Sequence, residues 1–245
     1  MNRSRLLFAA LFAAIVVLQV QAQEKAGGVS ATTMMLNTEK GLEGIRDYVA
    51  TLEAEVDMER VRVPKMTATM YYKKPDKVHF SSTNFAMLPR EGLVLNPSLL
   101  RERYEPKAVG EEMLDGRKNF RLELTAREAK IRPRQLLLWI DPATWTISRM
   151  ETVPYQGRVL RLLFTYAVQG GGFLLPKTMK ASFEISARDS SAQQLNLDVQ
   201  PPSQFDEAPR PSRSGSISVK YLEYKVNVGL SDDIFEKKEE APKAK

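Results

Sequence analysis

The residue types able to carry chemistry are few in this chain and poorly spaced for it. The single histidine, His79, sits beside Phe80 in the run KVHF, whose period of two turns the imidazole away from the apolar face of its strand. Ser81 and Ser82 are too close to it in sequence to act as a strand-borne nucleophile, and no Gly-x-Ser-x-Gly elbow occurs. Glu111-Glu112 and Asp232-Asp233 are adjacent pairs; neighbours on a strand face opposite ways, so neither is a two-carboxylate acid–base site. With no cysteine and one histidine, a transition-metal site would have to be nearly all carboxylate. Gly170-Gly171-Gly172 lacks the following Lys-Ser/Thr of a phosphate loop. The basic clusters Lys73-Lys74 and Arg132-Pro133-Arg134 are separated and lack an aromatic platform, which argues against nucleic acid as a partner. Trp139 and Trp145 bracket the turn at Asp141 and read as packing residues near a sheet edge. These residues together predict a protein that is not an enzyme and carries no cofactor and no metal. Its function must then come from apolar patterning.

The bulk properties agree. Of the 245 residues, 43% are apolar and 27% charged, ordinary for a soluble globular protein and unlike a polytopic membrane protein or a disordered chain. The start of the chain has Arg3 and Arg5, an apolar run from Leu6 to Leu18, and Val20-Gln21-Ala22, the layout of a signal peptide cut near Ala22. Cleavage there would lower the formal charge from +6 to +4. Without cysteine there is no disulfide and no lipid anchor after the signal, so the expected product is a soluble, exported, periplasmic protein.

The elements that must position the apolar residues follow from periodicity. Residues 23–36 read as a flexible leader. A helix is predicted over about 38–54, capped by Asn37 or Thr38, with Leu42, Ile45, Val49 and Leu52 on one face. Beyond it the period changes to two. Strands are predicted at 66–74 (Met66, Ala68, Met70, Tyr72 inward), 77–83 (Val78, Phe80), 119–126 (Phe120, Leu122, Leu124), 134–141 (with Leu138), 145–153 (Ile147 and Val153 opposite Met150), 159–166 (Leu160, Leu162, Phe164, Tyr166), 173–187 (Phe173, Leu175, Met179, Phe183, Ile185) and 216–226 (Ile217, Val219, Tyr221). Hairpin chemistry separates them at residues 74–77, Asp115-Gly116, Asp141-Pro142, Gln156-Gly157 and Gly170-Gly171-Gly172. Residues 86–106 leave room for one helical turn, 188–215 read as a long loop rich in Pro and Ser, and 237–245 as a charged disordered tail.

About nine strands of about eight residues make a face of roughly 1,100 Å². One 17-residue helix shades only roughly 250 Å² of that. An exposed apolar face of this size is excluded for a soluble monomer. Three outcomes stay open: the sheet folds into a closed sandwich, curls around a cavity able to hold an apolar ligand, or dimerises. In the first the inward residues are core; in the second they are a lining in which flexible methionines suit varied ligands.

The order of these pieces, YYKKPDKVHF, GEEMLDGRKNFRLEL, QLLLWIDPATWTISRMETV and RVLRLLFTYAVQGGGFLLPKTMKASFEI, resembles the LolA-like family of outer-membrane lipoprotein carriers and sorting proteins over about 38–188. The resemblance implies a curled antiparallel sheet, an incomplete β-barrel lidded by the N-terminal amphipathic helix, within a domain over 37–236. It implies a periplasmic carrier whose concave side holds the acyl chains of a lipoprotein or another lipid and releases them at the outer membrane. The lining would be Met70, Tyr72, Phe80, Phe120, Leu122, Leu124, Leu138, Met150, Leu160, Leu162, Phe164, Met179 and Phe183, and the lid Leu42, Ile45 and Val49. Partners would be loading and receiving proteins at the two membranes, with transient membrane contact by a monomer. The alternative is a periplasmic sensor or interaction domain of the same fold with a filled core.

Overall fold

A computed structural model of the protein describes residues 25–58, 61–62, 64–82, 94–152, 158–185 and 213–236. The signal segment 1–22, Val153, the Gln156-Gly157 turn, residues 188–212 of the long loop and the tail 237–245 lie outside the described residues.

Strands dominate, in antiparallel pairing throughout. A short hairpin, β1 (Lys25–Ala26) with β2 (Val29–Ser30), leads into helix α1 (Ala31–Lys40). Then come β3 (Asp47–Met58), β4 (Val61–Arg62), β5 (Met66–Lys73) and β6 (Lys77–Ser81), followed by helix α2 (Pro97–Arg103). A meander completes the chain: β7 (Tyr104–Leu114), β8 (Arg117–Ala126), β9 (Gln135–Asp141), β10 (Thr146–Thr152), β11 (Arg158–Gln169), β12 (Phe173–Ile185) and β13 (Arg213–Val226), with a last turn of helix α3 (Asp233–Glu236). Eleven strands form one curled, unclosed sheet in the order β6-β5-β3-β13-β12-β11-β10-β9-β8-β7, with β4 added to β3. Consecutive strands β6 and β7 are therefore the two opposite edges. The connection carrying α2 runs from one to the other.

The strands predicted at 66–74, 77–83, 119–126, 134–141, 145–153, 159–166, 173–187 and 216–226 are present within a few residues. The helix predicted at 38–54 is not. Residues 47–58 are β3, with Tyr48, Ala50, Leu52 and Ala54 buried at a period of two. The helix lies earlier, at 31–40, starting in the segment 23–36 read as leader and sharing only 38–40 with the predicted span. Ser30 is its N-cap, the hydroxyl accepting from the Thr33 amide at 3.2 Å, and it buries Met34 and Met35 completely. The four apolar residues at helical spacing, Leu42, Ile45, Val49 and Leu52, belong to a turn and a strand. Ala, Leu and Glu dominate 50–55, and these are helix formers, but an eleven-residue ladder to β13 and an eight-residue ladder to β5 outweigh that propensity. β7 was not predicted; its run YEPKAVGEEML carries a Pro, a Gly and three Glu, which mask the alternation.

The inner face holds two apolar clusters. One spans β3, β5, β6 and β11 to β13 and includes Leu52, Met70, Leu162, Met179 and Val219. The other spans β7 to β10 and takes Met34 and Met35 of α1 onto Phe120, Leu122, Leu124, Leu136, Leu138 and Ile140. Leu95 and Met150 touch both. On β9 the surplus apolar residue of the outer face is Trp139, only 2% exposed. It is covered by guanidiniums, Arg149 at 4.3 Å and Arg121 at 5.5 Å from its ring centroid, and its indole N–H donates to Glu112 at 3.0 Å. Arginine stems and cation–π contact thus bury a tryptophan without a second layer. Among the described residues no helix is long and apolar enough to cross a membrane.

Candidate functional site

Three β-bulges decide what the inner face presents. A bulge inserts one residue and flips the alternation beyond it. In β10 the register shifts between Ile147 and Arg149, so Ile147 and Met150, expected on opposite sides, both pack inward. In β13 it shifts between Tyr221 and Glu223, leaving Leu222 exposed. Tyr221 and Tyr224, three apart, then stack on the same face with ring centroids at 5.7 Å. The third lies between Thr165 and Tyr166 where β11 meets β12.

These tyrosines, with Tyr48 of β3 and Tyr72 of β5, gather at one end of the curled sheet. Tyr48 stacks on Tyr72 at 4.9 Å and meets Tyr224 edge-on at 5.4 Å. Tyr48, Tyr72, Tyr166 and Tyr224 line a cavity of about 80 Å³. Its remaining walls come from the last turn of α1 and the segment after it (Thr38 to Ile45), from Leu95 to Ser98 at the start of α2, from Thr144 to Ile147 in the β9–β10 turn, and from Leu174 to Pro176 of β12. It lies where the two clusters meet.

Helix ends and strand ends are tied together around this cavity. Asn96 caps α2, its side-chain oxygen accepting from the Leu99 amide at 3.2 Å, while its amide nitrogen donates to the carbonyl of Pro75 at 2.6 Å and to the Tyr72 hydroxyl at 3.3 Å. Glu39 of α1 makes a two-point ion pair with Arg101 of α2. The 42–46 segment is pinned from below. Lys74 Nζ donates to the carbonyls of Leu42 and Glu43 at 2.9 and 3.3 Å, and Asn227 accepts from the Arg46 amide and donates to the Gly44 carbonyl. Asp47 accepts from the amides of Val228 and Gly229.

Burial shapes the electrostatics. It raises the phenol pKa of Tyr48 well above the ordinary value, with the neighbouring phenols Tyr221 and Tyr72 adding to the shift. It pushes Tyr72 up to about 12 and raises Tyr166 and Tyr224 further. An environment that holds phenols neutral disfavours any buried anion. No group of three or more His, Cys, Asp or Glu residues is placed to hold a metal ion among the described residues.

The thirteen residues expected to line a cavity are distributed unevenly. Met70, Tyr72, Phe80, Leu162, Phe164 and Met179 are buried in the first cluster, with Leu160, Phe183 and Met150 half-buried against it; Phe120, Leu122, Leu124 and Leu138 are buried in the second. All face inward, but only Tyr72 borders the cavity, and the rest are packed side chain against side chain. Of the expected lid, Leu42 and Ile45 do line the cavity. Val49 does not belong to it: it lies on β3 between the buried Tyr48 and Ala50 and points to the outer face. Tyr48, Tyr224, Asn96 and Trp145 were not anticipated as site residues. For Tyr224 the only sequence signal is a three-residue spacing from Tyr221, which contradicts a period of two.

No family model and no curated protein matches the sequence. Solved structures do. The chain is similar to a DUF1329 family protein from Desulfovibrio piger, at 14% identity and TM-score 0.57, over 84% of this chain and 96% of that one. It is similar to a LolA superfamily protein from Nitrosomonas europaea, at 13% identity and TM-score 0.56, over 85% and 98%. It is also similar to an outer membrane lipoprotein-sorting protein domain from Vibrio parahaemolyticus, at 14% identity and TM-score 0.51, over 83% and 94%. A curled, unclosed antiparallel sheet with α1 and α2 packed at its edge, matched to these proteins over most of its length, makes this a chain of LolA-like fold.

Proposed function

We propose that the protein is a non-enzymatic periplasmic carrier that holds the acyl chains of a lipoprotein, or another lipid, against its inner apolar face and delivers them toward the outer membrane. The observation that carries this reading is an inner face built almost wholly of apolar side chains, divided into two clusters that meet at a cavity under two short helices. A sheet that needed only a core would have no reason to leave an opening at that junction. The similarity of its fold to a lipoprotein-sorting domain supports the same reading.

The cavity of about 80 Å³ is well below the roughly 300–1,000 Å³ of ordinary ligand pockets, so a chain enters only if a wall moves. The 42–46 segment is held by hydrogen bonds to two other segments, at Lys74 and Asn227, and α1 is held mainly by Met34, Met35 and the Glu39–Arg101 pair. The moving wall in this reading is therefore α1, with α2 following, and Gly41, between α1 and the held segment, gives the pivot its freedom. Met70, Phe80, Leu162, Phe164, Met179, Phe183 and Leu160 would line the opened space on one side, and Phe120, Leu122, Leu124 and Leu138 on the other. Each CH₂ they cover contributes about 0.8 kcal/mol, which makes release to a better apolar site at a receiving partner reversible.

The experiment is native mass spectrometry with organic extraction of the mature protein purified from an exporting host. A co-purifying lipid of defined mass supports the carrier and begins to name its cargo. A bare mass that also refuses added fatty acids and lipopeptides refutes it. That outcome would favour a second reading, a sensor or interaction domain with a filled core, for which the dense packing of both clusters is the supporting observation.

A further inference from the structure

The polar groups around the cavity are nearly all used by the protein itself. Tyr72 donates to the Pro75 carbonyl at 3.2 Å, Tyr166 to the Ile147 carbonyl at 2.9 Å, Tyr224 to the Pro176 carbonyl at 3.1 Å, and Thr38 to the Met35 carbonyl at 2.6 Å. Thr144 and Thr146 share a hydrogen bond, Glu39 is paired with Arg101, and the Lys74 ammonium is spent on two backbone carbonyls. Tyr48 is different. It is 91% buried, lines the cavity, and its hydroxyl has no hydrogen-bond partner among the described residues. The hydroxyl is not one of the fully enclosed polar atoms left without a partner among the described residues, so it reaches the open space of the cavity and keeps a free donor for whatever enters.

We infer that the Tyr48 hydroxyl is a donor for an uncharged acceptor on the bound molecule, so that the cavity seats the ester or amide carbonyl of a neutral lipid and rejects a carboxylate or phosphate head. This rests on the reading of the inner face as a lipid site and specifies which end of the lipid it recognises. Three features of the cavity support it. The volume of about 80 Å³ suits a carbonyl group and its first methylenes, because a single water takes about 30 Å³ of liquid volume. An incoming anion would find little to hold it: the Lys74 ammonium already gives two of its three donors to the Leu42 and Glu43 carbonyls, and the carboxylate of Glu39 stands on the same wall. Tyr166 and Tyr224, which donate to backbone carbonyls, keep oxygen lone pairs free, so a neutral head with a hydroxyl or N–H of its own is satisfied as well.

The test compares heads on one chain. Intrinsic tryptophan fluorescence follows binding, since Trp145 lines the cavity; the probes are 1-monolaurin and laurate, titrated at pH 8 into the full mature chain and into Tyr48→Phe. Wild type is expected to bind monolaurin about tenfold tighter than laurate. Tyr48→Phe should lose about 3- to 10-fold for monolaurin, the range of one net hydrogen bond, and nothing for laurate. Tyr104→Phe, whose hydroxyl donates to the Pro133 carbonyl at 3.0 Å and does not line the cavity, should keep the preference for monolaurin, which separates donation to ligand from a general loosening. Monolaurin binding that survives Tyr48→Phe unchanged, or laurate binding as tightly as monolaurin, overturns the inference while the lipid site stands. Failure of both probes to bind the wild-type chain overturns the lipid site itself and the inference with it.

Discussion

If α1 gates the apolar face, weakening its attachment must make lipid entry easier even as it makes the protein less stable. Met35 is fully buried between α1 and the second cluster, and removing a buried methionine side chain to alanine costs about 2–5 kcal/mol. In Met35→Ala that loss falls on the closed state, where the side chain packs, and not on an open state in which α1 has left the sheet. At the lower figure the open fraction rises by a factor of about 30, taking tenfold per 1.4 kcal/mol. Because apparent affinity scales with the fraction of molecules competent to bind, monolaurin should bind about 30-fold tighter as long as the open form stays a minor one. Stopped-flow tryptophan fluorescence measures uptake and titration measures affinity. Thermal melting should show a drop of about 4–8 °C for the same 2 kcal/mol. Leu52→Ala is the control: Leu52 is equally buried, on β3 in the other cluster, so it should lower the melting temperature by a similar amount without hastening uptake. If Met35→Ala and Leu52→Ala destabilise alike and neither changes uptake, α1 is not the gate and the cavity is reached another way.

Three further outcomes are expected. Phe183→Asp places a charge at a half-buried inner position opposite Leu160; the protein should fold, by circular dichroism, and lose co-purifying lipid, and undiminished lipid would remove Phe183 from the lining. Glu151 is pushed up by burial, but its hydrogen bonds to Arg161 and Arg149 outweigh that and hold its pKa below the ordinary value. Its contribution is therefore present above the unfolded carboxylate range and lost as pH falls through the lower folded value, so Glu151→Gln should lower urea stability at pH 7 and match wild type near pH 2. The buried tyrosines work in the opposite direction. Tyr72 ionises only at about 12 in the fold and near 10 when unfolded, so stability is full below about pH 10 and falls between there and about 12; phenolate absorbance should rise in step with loss of the near-ultraviolet circular dichroism signal rather than ahead of it.

Most of the sheet was legible because its strands obey a period of two and are bounded by turn residues with a fixed conformational role. Asp115 and Gly116, both at positive φ (49° and 77°), close the β7–β8 hairpin, and Gly170 turns β11 into β12 at φ 56° with a Cβ position only 2.4 Å from Val226. The inward parity of Met70, Phe80, Leu122, Leu162 and Met179 followed directly. The N-terminal region was not legible in the same way. Leu42, Ile45, Val49 and Leu52 have helical spacing by coincidence, and the alternation that truly governs β3 runs through Tyr48, Ala50, Leu52 and Ala54, where two alanines give too weak a signal to compete. The true helix, ATTMMLNTEK, carries only three large apolar residues in ten; what makes it a helix is its Ser30 cap and the pairing of Met34 and Met35 with a sheet that lies far away in sequence.

The cavity was hidden for a sharper reason. Its walls depend on bulges, and a bulge breaks the very periodicity from which a face is read. In a regular strand of the same sequence Tyr221 and Tyr224, three residues apart, would lie on opposite sides of β13; with the bulge at Leu222 they stack together and Tyr224 reaches Tyr48. Without the irregularity after Ile147, Met150 would leave the junction of the two clusters. Both shifts spoil local alternation and place an inward side chain where the clusters meet, so the positions that look least regular in the sequence are the ones that shape the site. Deleting Leu222 should accordingly remove the bulge and leave the face: β13 keeps its ladder to β12 from Thr178 back to Ile185, and Tyr224, then two residues after Tyr221, stays inward by plain alternation. The expected result is a folded protein whose tryptophan fluorescence still responds to monolaurin, and a folded deletion variant that no longer binds it would show that the bulge does more than set the face of Tyr224.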